Sequence, residues 1–440
     1  MTIMTARKPT TTVVFNLKKT FLGLFLLSFV STPTCLAQPD IDQAWFPQAP
    51  PLERTTNDPV EAANVDQLID AVENAQPGQT ILVQPGVYPM PRYIEITQDG
   101  VTLAGATGNR HDVIIDGSQS RHGELIGFRA CKNVTVANLT IQNIQWNGFK
   151  INAEDNVQNL TIYNCVIHNI WQRGVKSVHV PEENRERIRP QNIRIQYCLF
   201  YNDHPKRFED DPRDTPDNFN GNYIGGIDAM FPKEWTISDN VFIGIQGRTR
   251  EGRGCVFLWH HAEDCIIERN IIIDCDIGIA LGNSSGIGED QSSVHATGMI
   301  VRNNFITRTP ETGILADYTR DCVIAHNTIY DPNSPMQRLL RVVHDTPGLQ
   351  AVNNLFIGPG LSIETDDPIH LDNNRLLPEA GFFVDAEAGN LHLRANAHPA
   401  INQAIQTDFI QRDIDGESRN LPFDLGADEF TQTNSVRGSL

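Results

Sequence analysis

Short apolar runs alternate with polar breaks along most of the chain, and after about residue 130 they form a repeat. Each repeat has an apolar stretch, a marked residue that is usually asparagine, and two or three further apolar residues. The marked positions are Asn138, Asn164, Tyr197, Asn240, Asn270, Asn304, Asn327 and Asn354, separated by 26, 33, 43, 30, 34, 23 and 27 residues. A period near 25 residues with occasional insertions predicts a solenoid, in which each repeat forms one coil.

Two solenoid architectures compete for this pattern. A leucine-rich repeat needs a fixed leucine frame, which the sequence lacks. A parallel β-helix needs several short strands per coil joined by tight turns, and asparagine suits such turns because it tolerates the left-handed conformation. Its amide can also bond to the same amide one coil further along, about 4.8 Å away. The pattern therefore predicts an all-β, single-domain parallel β-helix.

The two ends of the repeat region fit a capped solenoid. Residues 65–75 place Val65, Leu68, Ile69 and Val72 at helical spacing, which predicts an amphipathic helix over the first coil. We expect the β-helix domain to span residues 65–430. Residues 38–64 form an N-terminal extension and residues 431–440 a tail, and both are expected to be loose because they are polar or proline-rich.

Residues 1–37 have the pattern of a secretory signal peptide. Four basic residues precede the short apolar run 21–27, and small residues follow up to Ala37. Cleavage is expected after Ala37, so the protein is predicted to be secreted or periplasmic. A membrane anchor is the alternative, but the run is shorter than the roughly 20 residues that cross a bilayer. No later segment is apolar enough to span a membrane.

Composition limits the possible partners. The 440 residues are 40% hydrophobic, which excludes a disordered chain, and the formal charge is −19. Loss of the signal peptide removes four basic residues and takes the charge to −23. This acidity argues against nucleic acid or an anionic membrane as a partner. A polyanionic ligand would need a local basic patch or a bridging cation.

The cysteines are predicted to be structural. Seven remain after signal-peptide removal, an odd number that requires at least one free thiol, and their spacing matches no zinc motif. We expect most of them to be small buried hydrophobic residues. They are Cys131, Cys165, Cys198, Cys255, Cys265, Cys275 and Cys322.

Four insertions fall at two corners of the predicted coil, and a strand that opens with glycine lies between the corners. Alternation along this strand places Lys150, Lys176 and Asp228 outward in one column, one coil apart. Loops on both sides of such a column predict a trough that suits a chain-like ligand, whereas an ordinary solvated column is the alternative. The insertions are 204–214 and 246–254 at one corner, and 180–190 and 283–297 at the other.

The capping helix followed by Pro77-Gly78-Gln79, the asparagine coils and the closing segment 412–430 resemble exported right-handed parallel β-helix proteins. That group includes polysaccharide lyases of the chondroitinase B and alginate lyase type. The resemblance covers about residues 60–430 and implies a right-handed β-helix that acts on a polysaccharide. Lys176-Ser177 matches a short piece of the lyase pattern, whereas the Arg-His-Gly sequence at 121–123 lies upstream of the lysine instead of after it.

Elimination at a uronate requires a neutralised substrate carboxylate, a base, and an acid for the leaving oxygen. Lys176 is the candidate base, with Lys150 as the neighbouring cation that favours its neutral form, and His260 is an alternative base. Arg253 is a candidate for carboxylate binding at the catalytic centre. The candidate substrate-binding residues are Lys150, Asp228, Lys233, Arg248 and Arg250.

Two questions about these residues remain open in the sequence. The arginines of 248–253 could pair with the acidic loop 209–211 instead of with a substrate. Asp228 and the same loop are a candidate site for Ca²⁺, which takes oxygen ligands, and no other cofactor is expected.

Three functions are compatible with this sequence. The first is cleavage of an acidic, uronate-containing polysaccharide by β-elimination, carried out by a secreted, monomeric protein. The second is non-catalytic carbohydrate binding or a cell-envelope role that uses the same trough. The third is C5-epimerisation of a polyuronate, which shares the carbanion chemistry of elimination.

Overall fold

The computed structural model describes residues 41–52, 58–283, 294–407 and 410–431. The predicted signal peptide and residues 432–440 lie outside this part of the chain. Within it, three long parallel sheets of 12, 11 and 10 strands run side by side, and each coil adds one strand to each sheet in turn. We call them sheets 1, 2 and 3 in the order in which a coil visits them. The predicted solenoid of stacked β-coils is confirmed.

The strands are short and regularly spaced. Sheet 1 contains Val60–Ala62, Thr80–Val83, Thr102–Gly105, Thr135–Ala137, Thr161–Tyr163, Arg194–Gln196, Thr236–Ser238, Ile266–Glu268, Ile300–Arg302, Val323–Ala325, Gln350–Val352 and His370–Asp372. Sheet 2 contains Gly86–Pro89, Val113–Asp116, Thr140–Ile144, Val166–Ile170, Leu199–Tyr201, Val241–Ile243, Ile271–Ile273, Phe305–Thr307, Thr328–Tyr330, Leu355–Ile357 and Arg375–Leu377. Sheet 3 contains Ile94–Ile96, Glu124–Phe128, Asn147–Ile151, Arg173–Ser177, Gly225–Met230, Gly254–Trp259, Ile277–Leu281, Thr312–Asp317, Leu340–Val343 and Ser362–Glu364.

The remaining elements lie at corners and ends. A small parallel sheet lines the corner between sheets 3 and 1, and an antiparallel pair precedes the closing segment. The small sheet consists of Ala262–Glu263, Ala296–Thr297 and Thr319–Arg320, and the antiparallel pair of Phe383–Asp385 and Asn390–Leu393. In the part of the chain that the structure describes, the helices besides the capping helix are the 3₁₀ turns Ala153–Asp155 and Glu182–Asn184 and the α-helix Arg185–Ile188.

The predicted capping helix is present as Val65–Glu73. The side chain of Asn64 accepts a hydrogen bond from the Gln67 amide at 3.0 Å, which satisfies one of the free donors of the first turn. Leu68 and Val72 are buried against the first coils. The helix therefore covers apolar side chains that an open coil would leave in water.

The core is a stack of apolar columns. Along the middle of sheet 1 an isoleucine or valine of each coil pairs with an apolar residue of the next coil, as in Ile162, Ile195 and Ile237, all fully buried. Each such side chain contributes roughly 1.5–3 kcal/mol of burial free energy. The seven cysteines are buried and free, as predicted.

The asparagines form two neighbouring columns instead of the predicted single one. Asn138, Asn164 and Tyr197 have positive φ, whereas in later coils the residue before the marked asparagine has it, for example Asp239 before Asn240. The buried amides of the later coils bond to each other at 2.8–3.0 Å. The prediction of amide bonding is confirmed, but the left-handed assignment is wrong for the later coils because each has one additional residue before its asparagine.

The extension 38–64 is less loose than predicted in its described part. Val60–Ala62 is the first strand of sheet 1. Phe46 is buried, and the hydroxyl of Tyr163 donates a hydrogen bond to the carbonyl of Pro50 at 2.7 Å. A proline-rich composition therefore did not exclude packing against the coils.

Candidate functional site

The outer face of sheet 3 carries the predicted column. Lys150 pairs in register with Lys176, and Lys176 pairs with Asp228. Their strand neighbours Phe149 and Val175 belong to the core, so the charged residues lie on the opposite face. We use "the trough" for this outer face between the strands Glu124–Phe128 and Gly254–Trp259.

Two insertions reach the trough from the corner between sheets 2 and 3. In the insertion 202–224, the guanidinium of Arg213 lies 3.6 Å from the ring centre of Trp146, and the ring of Tyr223 lies 3.9 Å from the guanidinium of Arg173. The insertion 244–253 bonds to it, since the Arg248 amide donates to the Gly221 carbonyl at 3.0 Å. The prediction that these insertions share one corner is confirmed.

The insertion 202–224 is fixed by a buried ion cluster. Lys206 is fully buried, and its Nζ lies 3.0 Å from Asp211 and 2.9 Å from Asp214. Nζ also donates to the carbonyl of Tyr223 at 3.0 Å. This wall of the trough therefore has an internal anchor that holds Tyr223 in place.

Glycine explains why Arg173 and Lys176, three residues apart, face the same side. A Cβ on Gly174 would lie 2.8 Å from the carbonyl oxygen of Gly226 in the next coil and 2.8 Å from a ring carbon of Phe200 in the core. Gly174 and Val175 therefore both face inward, and strict alternation is broken at this point. The break brings the Arg173 side chain to the trough.

The middle of the trough is a buried ionic cluster. Asp228 accepts from Arg173 Nε at 2.6 Å and from the Trp259 indole at 3.0 Å, and Lys176 Nζ lies 2.9 Å from its Oδ1. Burial alone would raise the pKa of Asp228, but the Lys176 and Arg173 cations outweigh it and hold the pKa at about 2. Asp228 is thus an ionised carboxylate with two cationic partners.

The structure changes the role expected for Lys176. Its amine is paired with Asp228, and Nζ is buried. The sequence predicted Lys150 as the neighbouring cation that favours the neutral form of Lys176, but Lys150 is paired with Glu124 at 3.0 Å, which offsets its charge. The predicted column of Lys150, Lys176 and Asp228 is confirmed, but each lysine amine is paired with a carboxylate.

The accessible part of the trough lies one coil earlier, around Lys150. Its side chain is 26% exposed, and the Glu124 carboxylate that it contacts also accepts from the Asn147 amide at 3.0 Å. The exposed His122 accepts at Nδ1 from the Glu124 backbone N–H at 3.1 Å, so its neutral ring carries the proton on Nε2. Trp146 lies edge-on to His122, with ring centres 5.9 Å apart.

Arg253 and His260 lie near this cluster. Burial and the nearby Arg173 guanidinium lower the pKa of Arg253, whereas Asp228 raises it. His260 stacks on Trp259 with ring centres 4.1 Å apart, and Trp259 bonds to Asp228. The structure therefore brings the three predicted catalytic residues into one neighbourhood.

The other predicted binding residues lie outside it. Arg248 is exposed and covers the ring of Phe208 at 4.7 Å, while Arg250 forms an ion pair with Asp276 at 3.0 Å. The alternative that the arginines pair with the acidic loop 209–211 is therefore wrong for Arg248 and Arg250. Lys233 lies at the far corner, 3.3 Å from Glu263. Binding roles for these three residues gain no support from their positions.

The residues proposed for Ca²⁺ do not fit that ion. Both oxygens of Asp228 are taken by cations and an indole donor. In the acidic loop, Asp211 is paired with Lys206, and Asp210 accepts from the Arg207 amide at 2.7 Å. A calcium ion needs six to eight oxygen ligands with free lone pairs.

The comparisons with known proteins agree with the geometry. The model of the "right handed beta helix region" family matches residues 226–396. The chain is a right-handed parallel β-helix. No curated protein sequence matches it. In the described part of this β-helix, no helix combines the length and the apolar character needed to cross a membrane.

Solved β-helix structures resemble it at low sequence identity. A pectate lyase is 13% identical with a TM-score of 0.56, and the match covers 82% of this chain and 90% of the lyase. A fragment of a bacteriophage Phi29 gene product is 14% identical with a TM-score of 0.52, covering 71% and 59%. An alginate lyase from Paenibacillus sp. str. FPU-7 is 12% identical with a TM-score of 0.39, covering 72% and 98%. The similarities to the pectate lyase and to the Phi29 fragment show the fold.

Sequence reasoning missed several residues of the β-helix trough. Arg173 was hidden by the glycine that breaks alternation, and Trp146 and Arg213 meet only because the insertion folds back. The sequence did contain an indication of His122, because it is part of the Arg-His-Gly sequence at 121–123, which resembles the lyase pattern but lies upstream of Lys176. One coil along the chain is one step in space, so His122 lies next to the coil of Lys150 and two coils from Lys176.

Proposed function

We propose that this protein binds an acidic, uronate-containing polysaccharide in the trough and cleaves it by β-elimination. The observation that carries the proposal is the partly exposed Lys150, in the same two coils as Trp146 and His122, on a floor that is locally basic. Lys150, Arg173, Lys176 and Arg253 face two carboxylates there, a local charge of +2 in a chain of −19. A patch of this sign is what a polyanion requires on an acidic protein.

Each accessible group has a role in this proposal. Lys150 and Arg213 neutralise the substrate carboxylate, which acidifies the adjacent C–H. Trp146 contacts the apolar face of a sugar ring, and His122 Nε2–H donates to the leaving oxygen. Lys176 remains the proposed base, and it acts only after a local rearrangement exposes its Nζ.

The test is ultraviolet absorbance of unsaturated uronate products on alginate, pectate and glycosaminoglycans. Lys176→Ala is expected to lower the rate by about 10²–10⁴-fold if this amine transfers the proton. Lys233→Ala is the matched control, because Lys233 is paired with Glu263 at a corner and should leave the rate unchanged. Absence of product on every polymer would refute cleavage.

Binding without cleavage is the second candidate, and the buried Nζ of Lys176 favours it. Affinity electrophoresis on the same polymers separates the two functions. Under either function, Trp146→Ala is expected to weaken retention about tenfold or more, as for a buried aromatic anchor. An epimerase would instead give a polymer with inverted C5 centres, detected by proton NMR, without the ultraviolet absorbance of unsaturated products.

A further inference from the structure

A group of potential metal ligands lies in the closing part of the chain, outside the trough. It consists of His392, in the strand Asn390–Leu393, with Asp415 and Asp428 of the segment 410–431. One ligand atom from each residue lies within 4.8 Å of the other two. The His392 ring lies edge-on to Phe305 of sheet 2, with ring centres 5.1 Å apart, which places the group on a different side of the coil from the trough.

The hydrogen bonds of His392 fix which nitrogen carries a proton. Asn390 Oδ1 accepts the backbone N–H of His392 at 3.3 Å, and a backbone N–H can only donate, so this atom is the amide oxygen. The same oxygen lies 2.6 Å from His392 Nδ1. Nδ1 must therefore carry a proton, and in a neutral imidazole Nε2 then has the lone pair.

That lone pair faces a carboxylate. His392 Nε2 lies 3.0 Å from Asp415 Oδ2, and two acceptors at this distance repel unless a positive charge lies between them. Asp428 is 2% exposed and accepts from the Leu393 amide at 2.7 Å through Oδ2, while among the described residues nothing donates to its Oδ1. With a neutral His392 ring, the group thus offers a nitrogen lone pair and carboxylate oxygens that lie within 4.8 Å of one another.

We propose that His392, Asp415 and Asp428 bind one divalent transition-metal ion of the Zn²⁺ class. Ligand atoms about 2.1 Å from one ion lie about 3.0–3.4 Å apart, which matches the Nε2 to Oδ2 separation. A histidine that donates its other N–H to a carbonyl oxygen is the usual outer arrangement of a metal ligand. One nitrogen with two carboxylates favours Zn²⁺ over Ca²⁺, which takes oxygen ligands.

The ion would tie the closing segment to the end of the β-helix. That segment is already attached elsewhere, since Arg419 bonds to Asn303 Oδ1 at 3.0 Å and the Ala427 amide donates to Thr328 Oγ1 at 2.9 Å. The metal site adds a link to the strand Asn390–Leu393. The partly exposed Asp415 gives the ion a path from solvent.

The experiment is calorimetric titration of Zn²⁺ into chelator-treated, dialysed full-length protein, followed by thermal unfolding. We expect one Zn²⁺ per chain and, at about a hundredfold excess over Kd, a midpoint raised by about 3–5 °C. Asp428→Asn and His392→Gln should abolish binding. Asp415→Asn, at the most exposed ligand, should weaken it at least tenfold with the fold intact by circular dichroism.

Two further variants make the test specific. Asn390→Ala removes no metal ligand but takes away the oxygen that bonds to His392 Nδ1 and to its backbone N–H, and it should weaken binding about 10–100-fold. His168→Gln is the matched control, because His168 also lies 2.9 Å from an aspartate, Asp203, but has no third ligand among the described residues. Absence of saturable Zn²⁺ binding, or binding that survives the ligand variants, would overturn the proposal. The short distance from His392 Nε2 to Asp415 would then be explained by a protonated imidazole that pairs with the carboxylate.

Discussion

The ionic cluster of the trough makes a quantitative prediction for Asp228→Asn. The change keeps the shape of the side chain but leaves the Arg173 and Lys176 cations without their buried counter-ion. Loss of one partner from a buried ion pair costs about 3–5 kcal/mol, and Asp228 is only 2% exposed, so the full range applies. We expect the free energy of unfolding at neutral pH to fall by that amount.

The pH dependence of this difference follows from the pKa of Asp228. Folding lowers it from 3.8 to about 2, which corresponds to about 2 kcal/mol of stabilisation by ionisation. Because the folded value is the lower one, this stabilisation is complete above about pH 5 and is lost as the pH falls toward 2. The stability gap between wild type and Asp228→Asn should therefore narrow by about 2 kcal/mol on acidification.

The assay is equilibrium urea unfolding, followed by circular dichroism, at a series of pH values. Glu364→Gln is the matched control, since Glu364 is an exposed carboxylate 3.1 Å from Arg341 and should contribute below about 1 kcal/mol. If Asp228→Asn is as stable as wild type at neutral pH, or if the gap does not change with acid, Asp228 is not the counter-ion of this cluster.

Three further substitutions test other parts of the fold. Asn304→Ala removes a fully buried amide bonded to both of its ladder neighbours and should cost about 2–4 kcal/mol in urea unfolding, against less than about 1 kcal/mol for the exposed Asn420→Ala. Gly174→Ala puts a methyl group 2.8 Å from a carbonyl oxygen and should lower the melting temperature, whereas Gly381→Ala, with open space around it, should not. Lys206→Met leaves two buried aspartates unpaired and should make the insertion 202–224 sensitive to limited proteolysis; unchanged cleavage would contradict its role as an anchor.

The repeat explains why so much of the fold was predictable. A β-coil buries one apolar residue at each inward position and turns at residues that accept positive φ, so each coil leaves the same short pattern in the sequence. The register of Lys150, Lys176 and Asp228 followed from that pattern and is confirmed. The capping helix followed from a 3.6-residue spacing in the same way.

The chemistry of the trough was less predictable, because it depends on side chains from segments without a repeat. Arg213 reaches Trp146 from an insertion 67 positions later in the chain, and Glu124 reaches Lys150 from the previous coil. No periodic signal marks either contact. The register placed Lys176 beside Asp228, but it did not show that Arg173 and the Trp259 indole also bond to Asp228.

Sequence alone thus determined the winding, because coil geometry is local and every repeat records it independently. Tertiary structure alone decided which charged groups meet and which of them reach water, because ion pairing and burial depend on distances between segments that the linear order does not contain. The same physical reason applies at His392, whose two carboxylate neighbours lie 23 and 36 positions further along the chain.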